Sequence, residues 1–266
     1  MTRSHPMPRP LRRLLPAFAS LAGLLGMQTT HAATDPSRIV AVGAGVQRMP
    51  SWPGSRSQQN QALPYLDFEW PDHVSLSTEA GLHLDLIGGS MLHGGVYGDY
   101  QWGRESEDLG VLRERVAPLS PRLTLGGYLE WQLTRQIDVG TDLSHDINGA
   151  GTYFRLYADW DLPALGPLQH AIQLRWQAMN RSAMQRFFGI SQEQAAALGV
   201  QSWEPGAGSQ RTDMEYDVFM PTSAHTGLAA SLAWGRLLGA AASSPLVARF
   251  GSRNQVTESL AFLYHF

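Results

Sequence analysis

Cysteine and lysine are both absent from this 266-residue sequence. Without cysteine, neither disulfide bonds nor thiolate metal sites are available, so the stability of an exported chain must come from packing or from backbone closure. All 20 basic residues are arginine, and 23 acidic residues outnumber them. This balance argues against nucleic acid as a partner, because nucleic-acid-binding proteins carry basic patches.

Long hydrophobic runs are also lacking, with one short exception near the amino end. The apolar stretch from Leu14 to about Gly26 follows four arginines and precedes the small residues Ala32-Ala33. It is shorter than the roughly 20 residues that a transmembrane helix needs, and its flanks are those of a secretory signal peptide. We therefore predict a cleaved signal over residues 1–32 and a single exported domain over residues 33–266. That domain holds 16 basic and 23 acidic residues, a net charge of −7.

Apolar and polar residues alternate through most of the exported part. In residues 123–133 the odd positions hold Leu, Gly and Trp, and the even positions hold Thr, Gly, Tyr, Glu and Gln. Similar runs cover residues 136–144, 153–162, 168–177 and 256–266, and less regular ones lie elsewhere. Such alternation is typical of β-strands with one apolar face. Between two of these runs, Asn148-Gly149 predicts a two-residue hairpin turn.

Three details favour a transmembrane antiparallel β-barrel over a soluble β-sandwich or lipocalin-like barrel, whose half-buried strands also alternate. The apolar faces are nearly free of charge, and the chain ends on Phe266. Six tryptophans also lie on apolar faces at or near strand ends, where the aromatic girdle of a membrane barrel belongs. They are Trp70, Trp102, Trp131, Trp160, Trp176 and Trp234.

Loop lengths predict the number of strands. Long connections lie near residues 48–61, 103–121, 179–211 and 238–253, and outer-membrane barrels keep long loops outside and short turns in the periplasm. All four fall on one side only if two short strands lie within residues 73–87. This gives twelve strands, with ten as the alternative.

One of the long loops contains a predicted helix. Ser191 and Gly199 are start and stop signals for a short helix over Gln192 to Leu198,. We expect it to pack over the barrel mouth rather than to be a dedicated recognition element.

The sequence shows no catalytic constellation. It has neither a G-x-S-x-G elbow nor an H-E-x-x-H zinc helix, and its histidines are scattered,. We therefore expect a protein that is not an enzyme and that uses no cofactor or metal.

Charged residues on the polar faces predict the character of the lumen. Six of them lie on three neighbouring strands: Asp138, Asp142, Asp159, Asp161, Arg155 and Arg175. The two arginines are available as partners of the four acids, and buried acids are usually paired, so we predict a network that plugs a narrow lumen. The alternative is a water-filled channel whose negative lining favours cations.

The last run ends in an aromatic pattern. Phe262, Tyr264 and Phe266 share the predicted lipid face. In bacterial barrels, such a pattern resembles the signal that the barrel assembly machinery reads. We therefore expect this machinery and the lipid of the outer membrane as partners.

Eight segments carry a resemblance to known proteins: Gly43-Ala44-Gly45, Pro53-Gly54-Ser55, Phe187-Phe188-Gly189-Ile190-Ser191, Gln194-Ala195-Ala196-Ala197, Gly206-Ala207-Gly208, Leu237-Leu238-Gly239, Ser244-Pro245-Leu246-Val247 and Gly251-Ser252-Arg253-Asn254-Gln255. Together they resemble the MltA-interacting protein (MipA)/OmpV family over essentially the whole exported chain. The first loop departs from the family pattern, with Trp52 where tyrosine is usual and Arg56 where acidic residues are common.

The resemblance implies an outer-membrane barrel with no catalytic residues to transfer. The founding member is described as a scaffold that joins a lytic transglycosylase to a murein synthase, and other members as porin-like or adhesive antigens. Our leading hypothesis is a non-enzymatic scaffold for enzymes that synthesise and hydrolyse murein (peptidoglycan). The alternatives are a narrow, cation-preferring, porin-like channel and a surface adhesin acting through residues 103–121 and 179–211.

Overall fold

Twelve antiparallel strands form one closed barrel in the computed structural model, which describes residues 39–70, 74–78, 81–89, 91–101 and 103–266. The first strand pairs with the last, so the backbone hydrogen bonding closes on itself. The prediction of twelve strands is confirmed, and the ten-strand alternative is excluded. The predicted signal peptide lies outside the described residues.

The strands follow one another around the barrel in chain order. The first six are β1 Ile39–Pro50, β2 Gln58–Trp70, β3 Val74–Ser77, β4 Gly81–Gly88, β5 Leu92–Gln101 and β6 Arg122–Gln132. The other six are β7 Ile137–Asp146, β8 Thr152–Asp161, β9 Gln169–Met179, β10 Gly208–Pro221, β11 Thr226–Leu237 and β12 Asn254–His265. The two short strands expected within residues 73–87 correspond to β3 and β4.

Sequence alternation places one face of each strand outside and the other inside. On β6, Leu125 and Trp131 are 59% and 50% exposed, whereas Tyr128 and Glu130 are buried in the barrel. The same pattern on the other strands gives a continuous apolar outer surface. Soluble proteins rarely expose such a surface, and it matches the lipid-facing band of a membrane barrel.

The two ends of the barrel differ in their connections. Residues 133–136, 162–168 and 222–225 are short turns at the end where β12 finishes, which we name the turn end. Residues 51–57, 180–207 and 238–253 are connections at the opposite end, named the loop end. Outer-membrane barrels keep short turns in the periplasm and long loops outside, so we expect the turn end to face the periplasm.

The helices lie in the connections of the loop end. They are α1 Arg181–Phe188, α2 Gln192–Leu198, α3 Gly239–Ser243 and α4 Pro245–Phe250, with a 3₁₀ helix at Glu107–Leu112. The predicted helix is α2: Ser191 caps it through a capping box, and Gly199 ends it in the left-handed conformation,. None of the helices in the described ranges is long and apolar enough to cross a membrane.

The two-residue turn predicted at Asn148-Gly149 is wrong. Strand β7 ends at Asp146 and β8 begins at Thr152, so five residues connect them. An ion pair between Arg122 and Asp146 (2.7 Å) lies beneath this connection. The side-chain amide of Asn180 also donates to the carbonyl of Ala150 at 2.7 Å. These contacts fix a wider loop than the local sequence indicates.

Strand β3 is short, and among the described strands part of β2 has one neighbour. The last contact between them joins Leu66 to Thr78, whose backbone N–H donates to the Leu66 carbonyl at 2.9 Å. Above this point, residues 58–65 of β2 pair with β1 alone among the described strands. Pro64 lies in this segment, and proline suits an edge because it has no N–H to donate.

Candidate functional site

The predicted charges of the lumen lie on the inner wall of β7, β8 and β9. Asp142 forms an ion pair with Arg155. Asp138 and Asp159 are register partners on β7 and β8, and Asp159 also accepts a hydrogen bond from the Gln173 amide at 2.6 Å. Asp161 lies half-buried at the turn end of β8. The structure therefore brings these acids together on one wall, and Arg155 serves as a partner.

Arg175 also has a partner that we did not predict. It forms an ion pair with Glu215 on β10, and its charge also acts on Asp159 of β8. On the same strand, Arg211 pairs with Asp213. The alternating acids Asp213, Glu215 and Asp217 are all buried. These three acids alternate along β10, and this spacing is a sequence signal for a second charged wall. Our prediction named acids on β7 and β8 alone.

Inward tyrosines extend this polar network. Tyr157 donates to Glu130 at 3.1 Å, and the hydroxyl of Tyr128 bonds Asp85. Both tyrosines lie two strands away from the acid that they contact. The inner wall is thus cross-linked by neutral donors as well as by arginines, which satisfies carboxylates that would be costly to bury alone.

A polar cavity lies within this network. Its volume is about 80 Å³, and Asp99, Asp142, Arg155, Gln177 and Gln210 are among its lining residues. A buried water needs on the order of 10–15 Å³ of such volume. The cavity therefore accommodates a handful of water molecules and is far smaller than the lumen of a wide, water-filled pore.

An apolar cluster occupies the opposite side of the lumen. It contains Ala41, Leu63, Tyr65, Phe219, Ala229, Ala261 and Leu263. Phe219 is fully buried, and its ring lies so close to Gly227 that a β-carbon there would be only 2.2 Å away. This cluster fills the space between β1, β2 and β10–β12. The plug that we predicted as a charged network is therefore partly apolar.

A second hydrophobic core covers the loop end, and we name it the lid. Its buried residues come from four connections and include Trp52, Leu112, Met184, Phe187, Phe188, Leu198, Leu246 and Val247. Met179 and Tyr153, near the ends of β9 and β8, pack against it. As expected, α2 is part of the packing over the barrel mouth. The lid also includes α1, α3 and α4, which we did not predict.

A buried arginine ties two connections of the lid together. The guanidinium of Arg104 donates to the carbonyl of Phe187 at 3.2 Å and to that of Ala117 at 3.3 Å. Burial and the nearby charge of Arg186 lower the pKa of Arg104 to about 10. It therefore stays charged across the neutral range, and charged donors form the stronger hydrogen bonds.

The predicted aromatic residues lie on the outer surface. Trp131, Trp160 and Trp234 are 50%, 48% and 44% exposed to the membrane side. Trp176 is half-buried beside Phe154, with ring centroids 6.0 Å apart. The side chain of Trp70 and the whole of Trp102 lie outside the described residues.

The aromatic residues of β12 also face outward. Phe262, Tyr264 and Phe266 are all exposed, and the rings of Tyr264 and Phe266 contact edge to face at 5.0 Å. This geometry leaves the end of the last strand accessible at the turn end of the barrel.

Several of the segments that carry the family resemblance meet in the lid. Ser244 donates to the carbonyl of Phe188 at 2.7 Å, and the loop around Gly54 is bonded to Gln255. In agreement with this, the family model described as MltA-interacting protein MipA matches residues 42–266. The chain belongs to this family.

The other comparisons give distant likenesses alone. No curated protein matches the chain. The NanC porin covers 85% of this chain and 98% of its own, with 7% identity and a TM-score of 0.45. The match to a bacterial polysaccharide outer membrane secretin covers 86% of this chain and 98% of the secretin chain, with 7% identity and a TM-score of 0.43. The match to an outer membrane channel from Pseudomonas putida F1 covers 90% of this chain and 100% of the channel, with 10% identity and a TM-score of 0.41.

Proposed function

We propose that this MipA-family barrel resides in the outer membrane, is not an enzyme, and binds a murein-acting enzyme at its periplasmic end. The family description supplies the class of partner, since it names a protein that interacts with MltA. The outer surface of the barrel faces the membrane, and its turn end is the part that a periplasmic partner would contact.

One turn supports this proposal more than any other feature. Residues 162–168 hold no charged residue, and Leu165 at their tip is 62% exposed. The turn is nevertheless well ordered, because Leu165 and Leu168 exchange two backbone hydrogen bonds of 2.9 and 3.1 Å. A rigid apolar tip loses little conformational entropy on binding, which favours its use as a contact.

The neighbouring turns are different in character. Residues 133–136 contain Arg135, and residues 222–225 are Thr, Ser, Ala and His. The turn at 162–168 is thus the most apolar of these three periplasmic projections. Apolar side chains at the centre of a contact are the usual source of binding energy between proteins.

Affinity capture tests the proposal. The mature protein, purified in detergent, is immobilised and exposed to envelope extract, and retained murein hydrolases and synthases are identified by mass spectrometry. We expect Leu165→Asp to lose the retained enzyme. Ala224→Asp, which adds the same charge to another exposed turn, should keep it. Failure of the unaltered protein to retain any murein enzyme would overturn the proposal.

A second candidate function is supported by the acids of the lumen. Asp138, Asp142 and Asp159 line one wall, and such a lining favours cations in a narrow channel,. This function predicts stepwise, cation-preferring conductance in planar bilayers, with the preference weakened in a protein carrying both Asp138→Asn and Asp159→Asn. A silent bilayer would remove this candidate.

A further inference from the structure

Five exposed arginines lie at the loop end, on the last residues of β1 and β11 and on the two connections that flank the seam between β1 and β12. They are Arg48, Arg56, Arg236, Arg249 and Arg253. Residues 48–57 and 236–253, which contain all five, hold no aspartate or glutamate. We name this surface the basic lip. It is a local excess of positive charge on an exported domain that is acidic overall.

The two connections of the basic lip are physically joined. Ser55 and Gly251 form a backbone bridge, and Arg56 donates to the carbonyl of Gly251 at 2.6 Å. On the other side, Arg236 is the register partner of Asn254, the residue next to Arg253. The two connections and their arginines therefore form one surface, and Arg48 borders it on β1.

Their charges are left largely uncompensated. Arg249 donates to the carbonyl of Gly199 at 2.6 Å, and Arg253 donates to that of Ala242 at 3.0 Å. Carbonyl oxygens orient a guanidinium but do not neutralise it. Within the described part of the chain, no ion pair joins these five arginines to a carboxylate, although Arg181 and Glu204 form one elsewhere in the lid. The nearest acid in register is Glu258, which pairs in the sheet with Arg48.

The position of the basic lip matches the level of lipid headgroups. On β11, Arg236 lies two residues beyond Trp234 on the same outward face, and Trp234 is 44% exposed. On β1, Arg48 lies two residues beyond Val46, which is 61% exposed. On both strands the apolar outer surface thus ends in arginine. Tryptophan marks the interface between hydrocarbon and headgroups, so Arg236 and Arg48 lie at headgroup depth.

We propose that the basic lip binds the phosphate groups of an anionic glycolipid in the outer leaflet. Arginine suits this ligand because its planar guanidinium donates two parallel hydrogen bonds to a phosphate. The connection at residues 103–121 has no such excess of positive charge, because it carries Glu105, Glu107, Asp108 and Glu114 against Arg104, Arg113 and Arg115. The glycolipid would therefore gather at the seam of the barrel.

The test uses Arg48→Gln with Arg236→Gln, because neither side chain makes a hydrogen bond on which the lid depends in the described structure. The control is Arg113→Gln with Arg115→Gln, which removes the same charge from the acidic connection. The probe is bisphosphorylated lipid A in mixed micelles, compared with the same lipid after removal of its phosphates. Heat-modifiability on gels verifies that each variant is folded.

We expect the unaltered protein and the control to bind the phosphorylated lipid alike, and binding to weaken with added salt. The lip variant should bind about tenfold or more weakly, since each arginine near an anionic surface contributes on the order of a factor of five. The proposal is overturned if the lip variant keeps its affinity, if the control loses as much, or if the phosphate-free lipid binds equally well.

Discussion

The side-chain oxygen of Gln255 accepts a hydrogen bond from the backbone N–H of Gly54, at 2.9 Å. The amide nitrogen of Gln255 donates to the carbonyls of Ser55 and Ser252, at 3.2 and 2.8 Å. One buried glutamine therefore fastens the first loop to the start of the last strand, across the seam at which the barrel closes. Both segments carry the family resemblance in the sequence, and their contact gives that resemblance a structural reason.

We predict that Gln255→Leu loosens the first loop while the barrel still assembles. The substitution leaves a buried N–H and two carbonyls without their partner, at a cost of about 1–3 kcal/mol for each group left unsatisfied. Arg56 lies in this loop, so trypsin reports its opening through cleavage after that residue. Gln58→Leu, at an exposed position, is the control and should resist trypsin like the unaltered protein. Equal resistance of Gln255→Leu would contradict the prediction.

Arg104 gives a second prediction about the lid. Because Arg104 stays charged at neutral pH and bonds two carbonyls of different connections, Arg104→Leu should separate the 3₁₀-helix connection from α1. Hydrogen bonds from a charged group contribute about 1.5–3 kcal/mol each, so the lid should open readily to protease while the strands remain protected. Arg113→Leu, at an exposed position of the same connection, should leave the digestion pattern unchanged. An intact lid in Arg104→Leu would show that packing alone holds it.

The strand number and the helix α2 follow from local sequence patterns. Alternation and loop parity suffice for the strands, and Ser191 and Gly199 suffice for the helix. Helix α1 could also have been predicted, because Asn180 is a residue type that favours the start of a helix. Its side chain accepts a hydrogen bond from the N–H of Ala183,.

The apolar plug could not be read from the sequence in the same way. On β12, Ala261 and Leu263 face the lumen while Phe262 and Tyr264 face the membrane. Both faces of this segment are apolar, so alternation of polarity gives no signal there. The pairing of Arg175 with Glu215 could not be predicted either, because the register between β9 and β10 decides which residues of the two strands meet. Register is a tertiary property that no single run of residues displays.

Phe266 provides a prediction about assembly. Phe266→Ala should lower the folded, heat-modifiable fraction in the outer membrane, because it removes the last aromatic side chain of the terminal pattern. Leu260→Ala removes a large side chain from the same outward face of β12. It should assemble normally, since lipid fills the space. If both variants assemble like the unaltered protein, Phe266 contributes lipid packing alone.

The open edge of β2 predicts uneven hydrogen exchange along one strand. Leu66 directs its backbone groups toward β3, and alternate residues of a strand share an edge. The amides of Asn60 and Ala62 therefore point away from β1, and those of Gln61 and Leu63 point toward it. We expect the first pair to exchange faster in residue-resolved measurements on the protein in micelles. Equal protection of both pairs would mean that another segment covers this edge.

The last prediction separates the inner apolar cluster from the outer surface. Phe219 is fully buried in the lumen, whereas Phe262 is 50% exposed to the membrane. Phe219→Ala leaves a cavity among packed side chains, and such changes cost about 3–5 kcal/mol. Phe262→Ala removes the same atoms from the outer surface, where lipid can fill the space. The loss of unfolding free energy should therefore be much smaller. The free energy of unfolding, measured by denaturant titration in micelles, should therefore fall far more for Phe219→Ala. Equal losses would show that the lumen at this level is open to solvent and that the cluster does not act as a plug.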